Sequence, residues 1–470
     1  MPGVISWAIV SAAVVGLFFF PDQWASVATV FVGYLMLRMI LIVTFAIVGD
    51  VRRRIWEKRD WTEDDTLPGP AAFSPADVHH VVLVPNYKEP LDVLERTIGA
   101  LAVQHRAEER VVVVLGMEQR EPGALEKGEA LAARYADRFE SIIVTVHPAD
   151  VPGELACKAS NQTYAAGIAR DIVVRELGIP LDRITVTSCD ADSVIHPKYF
   201  AAVSRMFAAD ERRHARFWQA PMHYYNNIWD VPAPIRYTAW FIHAAHLAEL
   251  AMPFYEPLPI STYTLSMKMA EETGWWDPMV ISEDWHVMLN AMFKRHGDVS
   301  LTPVFLPTWS DATDGETFWR AMKNRYDQVL RHAWGAEDVG YILREIIDEG
   351  ARPAAQSVFR LVQVLHDHTL RVASWFMLIT GYAINLGVER AWAYYDAGGA
   401  IRDVHPVLRY FFLAGTLAVA CTIVVELLRT LRLADGLSAV SPSRSGSCGS
   451  VRPSSGSSSA PCRRCTLRRS

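Results

Sequence analysis

The most apolar stretches of the chain lie near its two ends. Residues 4–20 and 27–48 come before a more polar middle, and residues 372–388 and 410–425 come after it. Because a helix needs about 17–25 residues to cross a bilayer, this pattern predicts about four transmembrane helices. A buried core helix is the alternative for one or two of these stretches, and the fourth stretch suits it better than the second.

Shorter apolar runs alternate with helical spacing in the middle of the chain. The predicted helices are residues 90–106, 124–139 and 155–177. The predicted strands are residues 80–85, 111–115, 141–146 and 184–187. Near-continuous apolar strands joined by helices indicate a mostly parallel α/β sheet. Such sheets bind their ligands beyond the carboxyl ends of the strands.

The pattern beyond residue 200 is less regular. Residues 200–315 have no sustained period, whereas residues 316–334 have apolar side chains at helical spacing and several Arg and Lys residues. An amphipathic helix on a membrane surface has this composition. An ordinary packed helix with one solvated side has it too.

Composition and charge narrow the function. The 470 residues are 51% hydrophobic with a formal net charge of −6, which does not favour nucleic acid as a partner. Basic residues follow the second apolar stretch and precede the third, so the positive-inside rule places residues 51–371 in the cytoplasm. We expect an integral protein of the plasma (inner) membrane. Arg38, inside the second stretch, either snorkels or faces a partner group.

These patterns divide the chain into six segments. The segments are two N-terminal transmembrane helices (1–50), a linker (51–77), a cytoplasmic catalytic domain (78–335), connecting or interfacial helices (336–371), two C-terminal transmembrane helices (372–428) and a disordered tail (429–470).

Two acidic clusters carry the candidate chemistry. Asp190 and Asp192 follow the fourth predicted strand, and on an extended backbone they point the same way. This pair suits a hard divalent cation that also binds phosphate oxygens, and a solvated turn is the alternative. Glu283 and Asp284 form the second cluster, which can supply a base. The alternative there is the N-cap of a helix over residues 285–293.

Five motifs, in their order and spacing, resemble those of membrane-bound family 2 glycosyltransferases of the cellulose-synthase-like group. The motifs are Val84-Pro85-Asn86-Tyr87-Lys88-Glu89, Lys158-Ala159-Ser160-Asn161, Asp190-Ala191-Asp192, Ser282-Glu283-Asp284-Trp285-His286 and Gln328-Val329-Leu330-Arg331-His332-Ala333-Trp334. The resemblance covers about residues 78–335 and the flanking apolar stretches. It implies a GT-A catalytic domain with a Rossmann-like, mostly parallel sheet, and a nucleotide-sugar donor.

The resemblance also implies roles for individual residues. Asp190 and Asp192 match the metal-binding pair for Mg²⁺ or Mn²⁺. Asp284 matches the base that deprotonates the acceptor hydroxyl, with Glu283 as the alternative. Glu118 stands where many relatives have Asp-Asp or Asp-Gly at the end of the second strand, so it is the candidate for reading the nucleotide base. The matched donor-binding residues are Pro85, Asn86, Tyr87, Glu89, Lys158, Asp190, Gln328 and Arg331, with Arg331 on the diphosphate.

The last motif departs from the Gln-x-x-Arg-Trp signature of processive synthases. His332 stands at the position of the signature's Trp, and Trp334 follows two residues later, which turns its ring by about 200° on a helix. The diphosphate role of Arg331 is unaffected. Trp285, His332 and Trp334 are candidate acceptor contacts, and a packed core residue is the alternative for His332.

The expected activity is inverting transfer of a hexose from a nucleotide-diphosphate sugar, most readily a UDP-sugar, to a growing polysaccharide or glycan at the membrane. Transfer to a polyprenyl phosphate or another lipid acceptor is the nearest alternative, and an inactive membrane scaffold or export subunit is the second. The expected partners are the donor, a glycan or lipid-linked acceptor, and membrane lipids.

Overall fold

The computed structural model describes residues 2–62, 73–348, 355–391 and 400–437. The chain divides into two compact units between Glu426 and Leu427. The predicted tail beyond residue 437 and part of the predicted linker lie outside the described residues. The α-helices are α1 (Pro2–Phe19), α2 (Pro21–Lys58), α3 (Leu91–Ala102), α4 (Ala107–Arg110), α5 (Ala124–Arg134), α6 (Lys158–Asp171), α7 (Tyr199–Ala209), α8 (Ala233–Ala251), α9 (Met267–Thr273), α10 (Glu283–Lys294), α11 (Phe318–Ala333), α12 (Glu337–Asp348), α13 (Ala355–Ala391) and α14 (Ala400–Leu437). The strands are β1 (His79–Pro85), β2 (Val111–Glu118), β3 (Ser141–His147), β4 (Ile184–Ser188), β5 (Val194–Ile195), β6 (Arg216–Gln219), β7 (Met222–His223), β8 (Tyr263–Ser266), β9 (Ser300–Pro303) and β10 (Thr308–Trp309).

A seven-stranded sheet organises the catalytic part, with the strand order β3-β2-β1-β4-β8-β6-β9. Strands β1 to β4 are parallel, as predicted from their apolar runs. The chain moves outward from β1 to β3 and then returns to place β4 on the other side of β1. The order therefore reverses between β1 and β4, and ligands of α/β sheets bind at such a switch point.

Apolar cores cover both faces of this sheet. In β1, Val81 and Leu83 face one core while Val82 and Val84 face the other, and all four are essentially inaccessible to water. Burying such side chains stabilises the fold by about 1.5–3 kcal/mol each. Alternate residues enter opposite cores, so a strand buried on both faces has an uninterrupted apolar sequence.

The irregular region after residue 200 completes the sheet. Strand β8 runs antiparallel to both of its neighbours, β4 and β6, and β9 is parallel to β6. A second, three-stranded sheet has the order β5-β10-β7. The sequence pattern did not predict these short strands, because four or fewer residues show too little alternation to identify a strand.

Three helices of the described chain are long and apolar enough to cross a membrane, rather than the predicted four. They are Pro2–Phe19, Gln23–Lys58 and Arg409–Leu431. The predicted span over residues 372–388 lies within α13, which begins already at Ala355, and it is not among the three. Helix α2 extends past residue 50, where the linker was predicted to begin.

Arg38 faces partner groups on two other helices. Its guanidinium lies 3.9 Å from Glu249 on α8 and 3.7 Å from Asp367 on α13. The His366 ring also lies within 3.4 Å. A charge in an apolar span is costly unless it is paired, and these carboxylates provide that pairing.

Candidate active site

The carboxyl end of β4 meets the amino end of β8, because the two strands pair in an antiparallel register. Ser188 pairs with Tyr263, so the next residues of each strand also approach one another. The Asp190 backbone N–H donates to Thr262 Oγ1 at 3.3 Å, and the Ser261 hydroxyl donates to Asp190 Oδ2. The loop before β8 therefore lies against the first acidic cluster.

Lys158 brings the two predicted acidic clusters together. Its Nζ lies 2.7 Å from Asp190 Oδ1, 2.8 Å from Glu283 Oε1 and 3.6 Å from Asp284 Oδ1. Lys158 is the first residue of α6, and Glu283 and Asp284 begin α10. The positive N-terminal ends of both helices favour the negative charge of the cluster.

The close approach of these charged side chains, together with their burial, shifts the pKa values of Asp190 and Asp284 in opposite directions. Burial opposes the charge of Lys158, but Asp190, Asp284 and Glu283 outweigh burial and raise the pKa of its ammonium well above the usual value. Burial also opposes ionisation of Asp190, yet Lys158 lowers the pKa of that carboxyl. Burial and the Glu283 and Asp190 charges raise the pKa of Asp284 well above its usual range. Asp284 is therefore the better proton acceptor of the two aspartates.

The Asp284 carboxylate contacts the loop before β8. Ser282 occupies the N-cap position of α10, but its side chain makes no capping hydrogen bond. The Oδ2 atom of Asp284 accepts the backbone N–H of Ser261 at 2.8 Å. Glu283 is almost inaccessible to water and pairs with Lys158, so it is the less accessible of the two candidate bases.

Asp192 lacks the cationic partner that Asp190 has. Its Oδ2 accepts the Asp311 backbone N–H at 3.0 Å, and no ion pair reaches it within the described chain. Burial, Asp190 and Asp311 raise the pKa of Asp192 to about 7. Asp311 is itself held by Arg96, with both carboxylate oxygens 2.7 Å from one guanidinium nitrogen.

This uncompensated charge fits a divalent cation. Asp190 and Asp192 would hold the ion, and phosphate oxygens and water would complete its coordination, as is usual for Mg²⁺. Within the described residues, no group of three or more His, Cys, Asp or Glu side chains is arranged to hold a metal by itself. The two aspartates therefore depend on a ligand to supply the remaining oxygens.

The residues after β1 and the loop after β2 form a polar surface, which we call the ledge; it consists of Asn86, Tyr87, Lys88, Arg120 and Glu121. Asn86 donates to Glu121 at 3.3 Å, and Glu121 also accepts the Lys88 backbone N–H at 2.6 Å. The exposed Tyr87 ring lies beneath the Arg120 guanidinium, 4.7 Å from its centroid. Pro85 ends β1 opposite Gly116, and Glu89 is exposed.

Glu118 is buried beneath this ledge. Its carboxylate accepts from Asn161 at 3.1 Å and from Arg120 at 3.0 Å. Gly116 permits this approach, because a Cβ atom there would lie only 2.6 Å from Asn161 Oδ1. Glu118 therefore supports Arg120, and Arg120 is the group that reaches the ledge.

The residues of the last motif separate in the structure. The Gln328 side chain accepts from Thr313 at 2.6 Å and from Arg325 at 2.5 Å. His332 is exposed, and its imidazole contributes to lowering the pKa of Asp190. Arg331 is exposed; its backbone carbonyl accepts from the Ser282 hydroxyl at 3.5 Å.

The two tryptophan candidates for acceptor contacts differ in their surroundings. The ring of Trp285 is partly buried and meets the His368 ring edge to face, with 5.7 Å between centroids. Trp334 is 55% exposed. Of the three acceptor candidates, His332 and Trp334 are therefore exposed, whereas Trp285 is partly buried.

Sequence reasoning missed the residues that join the clusters. Ser261, Arg120, Glu121 and Asp311 stood in regions without an assigned role. Arg120 and Glu121 carried a weak signal, because they come a few residues after a predicted strand and next to the candidate Glu118. Ser261 carried none, since its place follows from the pairing of β8 with β4.

A family model described as "Glycosyl transferase family group 2" matches residues 185–431, which is more than half of the chain. No curated protein matches the chain.

Similar solved structures were found as well. A mannosyltransferase, PcManGT from Pyrobaculum calidifontis, in complex with GDP-Man and Mn²⁺, is 16% identical at a TM-score of 0.42 and covers 83% of this chain and 99% of its own. Residues 1–349 of S. aureus TarS are 12% identical at a TM-score of 0.37, covering 76% of this chain and 92% of theirs.

The family match and the mostly parallel sheet confirm the predicted fold class and enzyme class. The chain belongs to the family 2 glycosyltransferases.

Proposed function

We propose that the protein is an inverting glycosyltransferase that moves a hexose from a nucleotide-diphosphate sugar to an acceptor at a membrane. The observation that carries this proposal is the convergence of Asp190, Glu283 and Asp284 on the Lys158 ammonium. Carboxylates from β4 and α10, far apart in the sequence, form one partly buried site at the switch point of the sheet.

The donor lies along the polar ledge in this proposal. Its nucleobase stacks near Tyr87, where Arg120 offers hydrogen-bond donors, and its diphosphate extends toward Asp190 and Asp192. Pro85, Asn86 and Glu89 line the same edge. A Mg²⁺ or Mn²⁺ ion held by the two aspartates would supply Lewis-acid neutralisation of the diphosphate charge. Lys158 adds a point charge beside the diphosphate.

The acceptor lies on the other side of the cluster. Asp284 accepts the proton of the acceptor hydroxyl, and the oxygen then attacks the anomeric carbon as the diphosphate leaves. One base on the face opposite the leaving group suffices for such a direct displacement. Burial and the neighbouring carboxylates raise the pKa of Asp284, which makes its carboxylate a stronger base than an ordinary one. Arg331 and His332 stand at the end of α11, beside the start of α10.

Helix α11 supports a site at the membrane surface. Ala321 is its one buried residue within the described chain, while Trp319 is 80% exposed and Tyr326 is 66% exposed. Aromatic and basic side chains on one helix suit a lipid headgroup region. We place the catalytic domain in the cytoplasm, on the side of the basic residues at the end of α2.

The test uses the purified full chain in detergent and a panel of UDP- and GDP-sugars, with released nucleotide diphosphate as the readout. We expect release with at least one donor in Mg²⁺ or Mn²⁺, and none in excess EDTA. Release unaffected by EDTA would exclude the metal. No release from any donor under any of these conditions would contradict the proposed activity.

The acceptor is identified with radiolabelled sugar. Label in long chains supports growth of a polysaccharide, and label in solvent-extractable material supports a polyprenyl phosphate or another lipid acceptor.

A further inference from the structure

Ser261 holds a backbone conformation that few residues other than glycine adopt. Its φ angle is 59°, within the left-handed region. A residue with a side chain persists there only when its surroundings fix it, and such residues are frequent at functional sites. The strand β8 begins two residues later, at Tyr263, so Ser261 stands just outside the ladder.

The two donor groups of Ser261 bind two different carboxylates. Its backbone N–H donates to Asp284 Oδ2 at 2.8 Å, and its hydroxyl donates to Asp190 Oδ2. Lys158 contacts the other oxygen of each carboxylate, at 2.7 Å for Asp190 Oδ1 and 3.6 Å for Asp284 Oδ1. Each carboxylate is therefore held on one side by Ser261 and on the other by Lys158.

Because Ser261 and Lys158 hold both carboxylates, they oppose the electrostatic repulsion that would move Asp190 and Asp284 apart. Asp190 and Asp284 carry like charges in a partly buried site, where repulsion is stronger than in water. Lys158 attracts both but has a flexible side chain with three rotatable donors. The short serine side chain and its fixed backbone N–H define the separation more tightly.

We propose that Ser261 is a positioning residue that ties the metal-binding carboxylate Asp190 to the base Asp284. This inference rests on the proposed function. It assigns Ser261 no contact with substrate. Ser261 instead keeps the carboxylates of Asp190 and Asp284 at a fixed separation and orientation.

The decisive variant is Ser261→Gly, which removes the hydroxyl but retains the N–H and relieves the backbone. The experiment uses the full chain in detergent and titrates Mn²⁺ alone, followed by electron paramagnetic resonance. We expect the Kd for Mn²⁺ to rise about tenfold, the cost typical of losing a group that orients a metal ligand. We expect kcat for nucleotide release to fall about tenfold as well, while the Tm stays the same or rises, because the left-handed conformation suits glycine.

Two further variants separate the hydroxyl from the backbone. Ser261→Ala also lacks the hydroxyl but keeps the strain, so its Kd should match that of Ser261→Gly. His296→Gly relieves a similar φ of 51° outside the site, and we expect wild-type Mn²⁺ binding from it.

A wild-type Kd in Ser261→Gly, or a Tm that falls together with Mn²⁺ affinity, would overturn the positioning role. Wild-type protein that binds no Mn²⁺ would overturn it too. Wild-type protein that binds Mn²⁺ but releases no nucleotide would instead contradict the proposed function, and the Kd comparison would still decide whether Ser261 holds Asp190.

Discussion

The parallel half of the sheet (β1 to β4) and the mixed half (β8, β6 and β9) contribute to the site in different ways. In the parallel half, polar residues directly follow apolar strands, as Asn86 follows β1 and Asp190 follows β4. In the mixed half, the antiparallel strand β8 brings Ser261 back to the same edge from the opposite direction. In the proposed site, residues after the parallel strands would bind the donor and its metal ion, and Ser261, just before the antiparallel strand β8, would orient the carboxylates.

Within the parallel half, the two aspartates that follow β4 differ in their charge balance. Asp190 has an ammonium partner, whereas Asp192 lies close to Asp190 and Asp311 and has its pKa raised to about 7. A buried carboxylate without a cation weakens the fold, so its presence indicates a ligand that compensates for it. The following changes, from the largest expected effect to the smallest, test this division.

The largest effect is expected from the base. Asp284→Asn keeps the size of the side chain but removes the proton acceptor, and we expect kcat to fall by about 10³. Glu283→Gln should cost less, because Glu283 is paired with Lys158 and is less accessible. Nucleotide release measures both, with Asp298→Asn, an exposed carboxylate paired with Arg212, as the control. Wild-type turnover in Asp284→Asn would exclude Asp284 as the base.

The next effect concerns the metal carboxylate of the parallel half. Asp192→Asn should weaken Mn²⁺ binding by about 100-fold. Its Tm should stay the same or rise, because the repulsion among Asp190, Asp192 and Asp311 is relieved. Metal titration and thermal unfolding on the same sample measure the two quantities. A variant that loses Tm and keeps Mn²⁺ affinity would make Asp192 a structural residue.

A smaller effect is expected at the ledge. Arg120→Ala should raise the donor KM about tenfold with little change in kcat, because a cation–π contact and charged hydrogen bonds to a ligand contribute about 1–2 kcal/mol. Arg134→Ala is the matched control, since Arg134 lies over the Tyr135 ring at 5.9 Å, outside the ledge. Equal KM values for the two variants would place the nucleotide elsewhere.

The smallest effect concerns α11. In vesicles with a quencher-labelled lipid, Trp319→Phe should lose part of the lipid-dependent quenching of tryptophan fluorescence, because an exposed ring on an interfacial helix contacts lipid. Trp218→Phe, in the buried core, should leave the quenching by lipid unchanged. The same quenching in Trp319→Phe as in the wild type would place α11 away from the bilayer.

Sequence reasoning identified the parallel half because its rules are local. A strand buried on both faces needs a nearly unbroken apolar run, and β1 and β2 have one. The carboxylates at the end of β4 and the start of α10 were identified for the same reason. The third predicted span, residues 372–388, lies within the longer helix α13, which is not among the three helices of the described chain that are apolar enough to cross a membrane.

The sequence by itself determined the parallel strands, the acidic clusters and three of the apolar spans, because each depends on neighbouring residues. Only the tertiary structure decided that Lys158 joins the two clusters, that Glu118 supports Arg120, and that Ser261 lies between Asp190 and Asp284. These contacts depend on the register of β8 with β4 and on the ion pair that joins the first residue of α6 to the start of α10. Residues tens of positions apart share no local period, so their meeting is fixed by strand pairing and burial rather than by pattern.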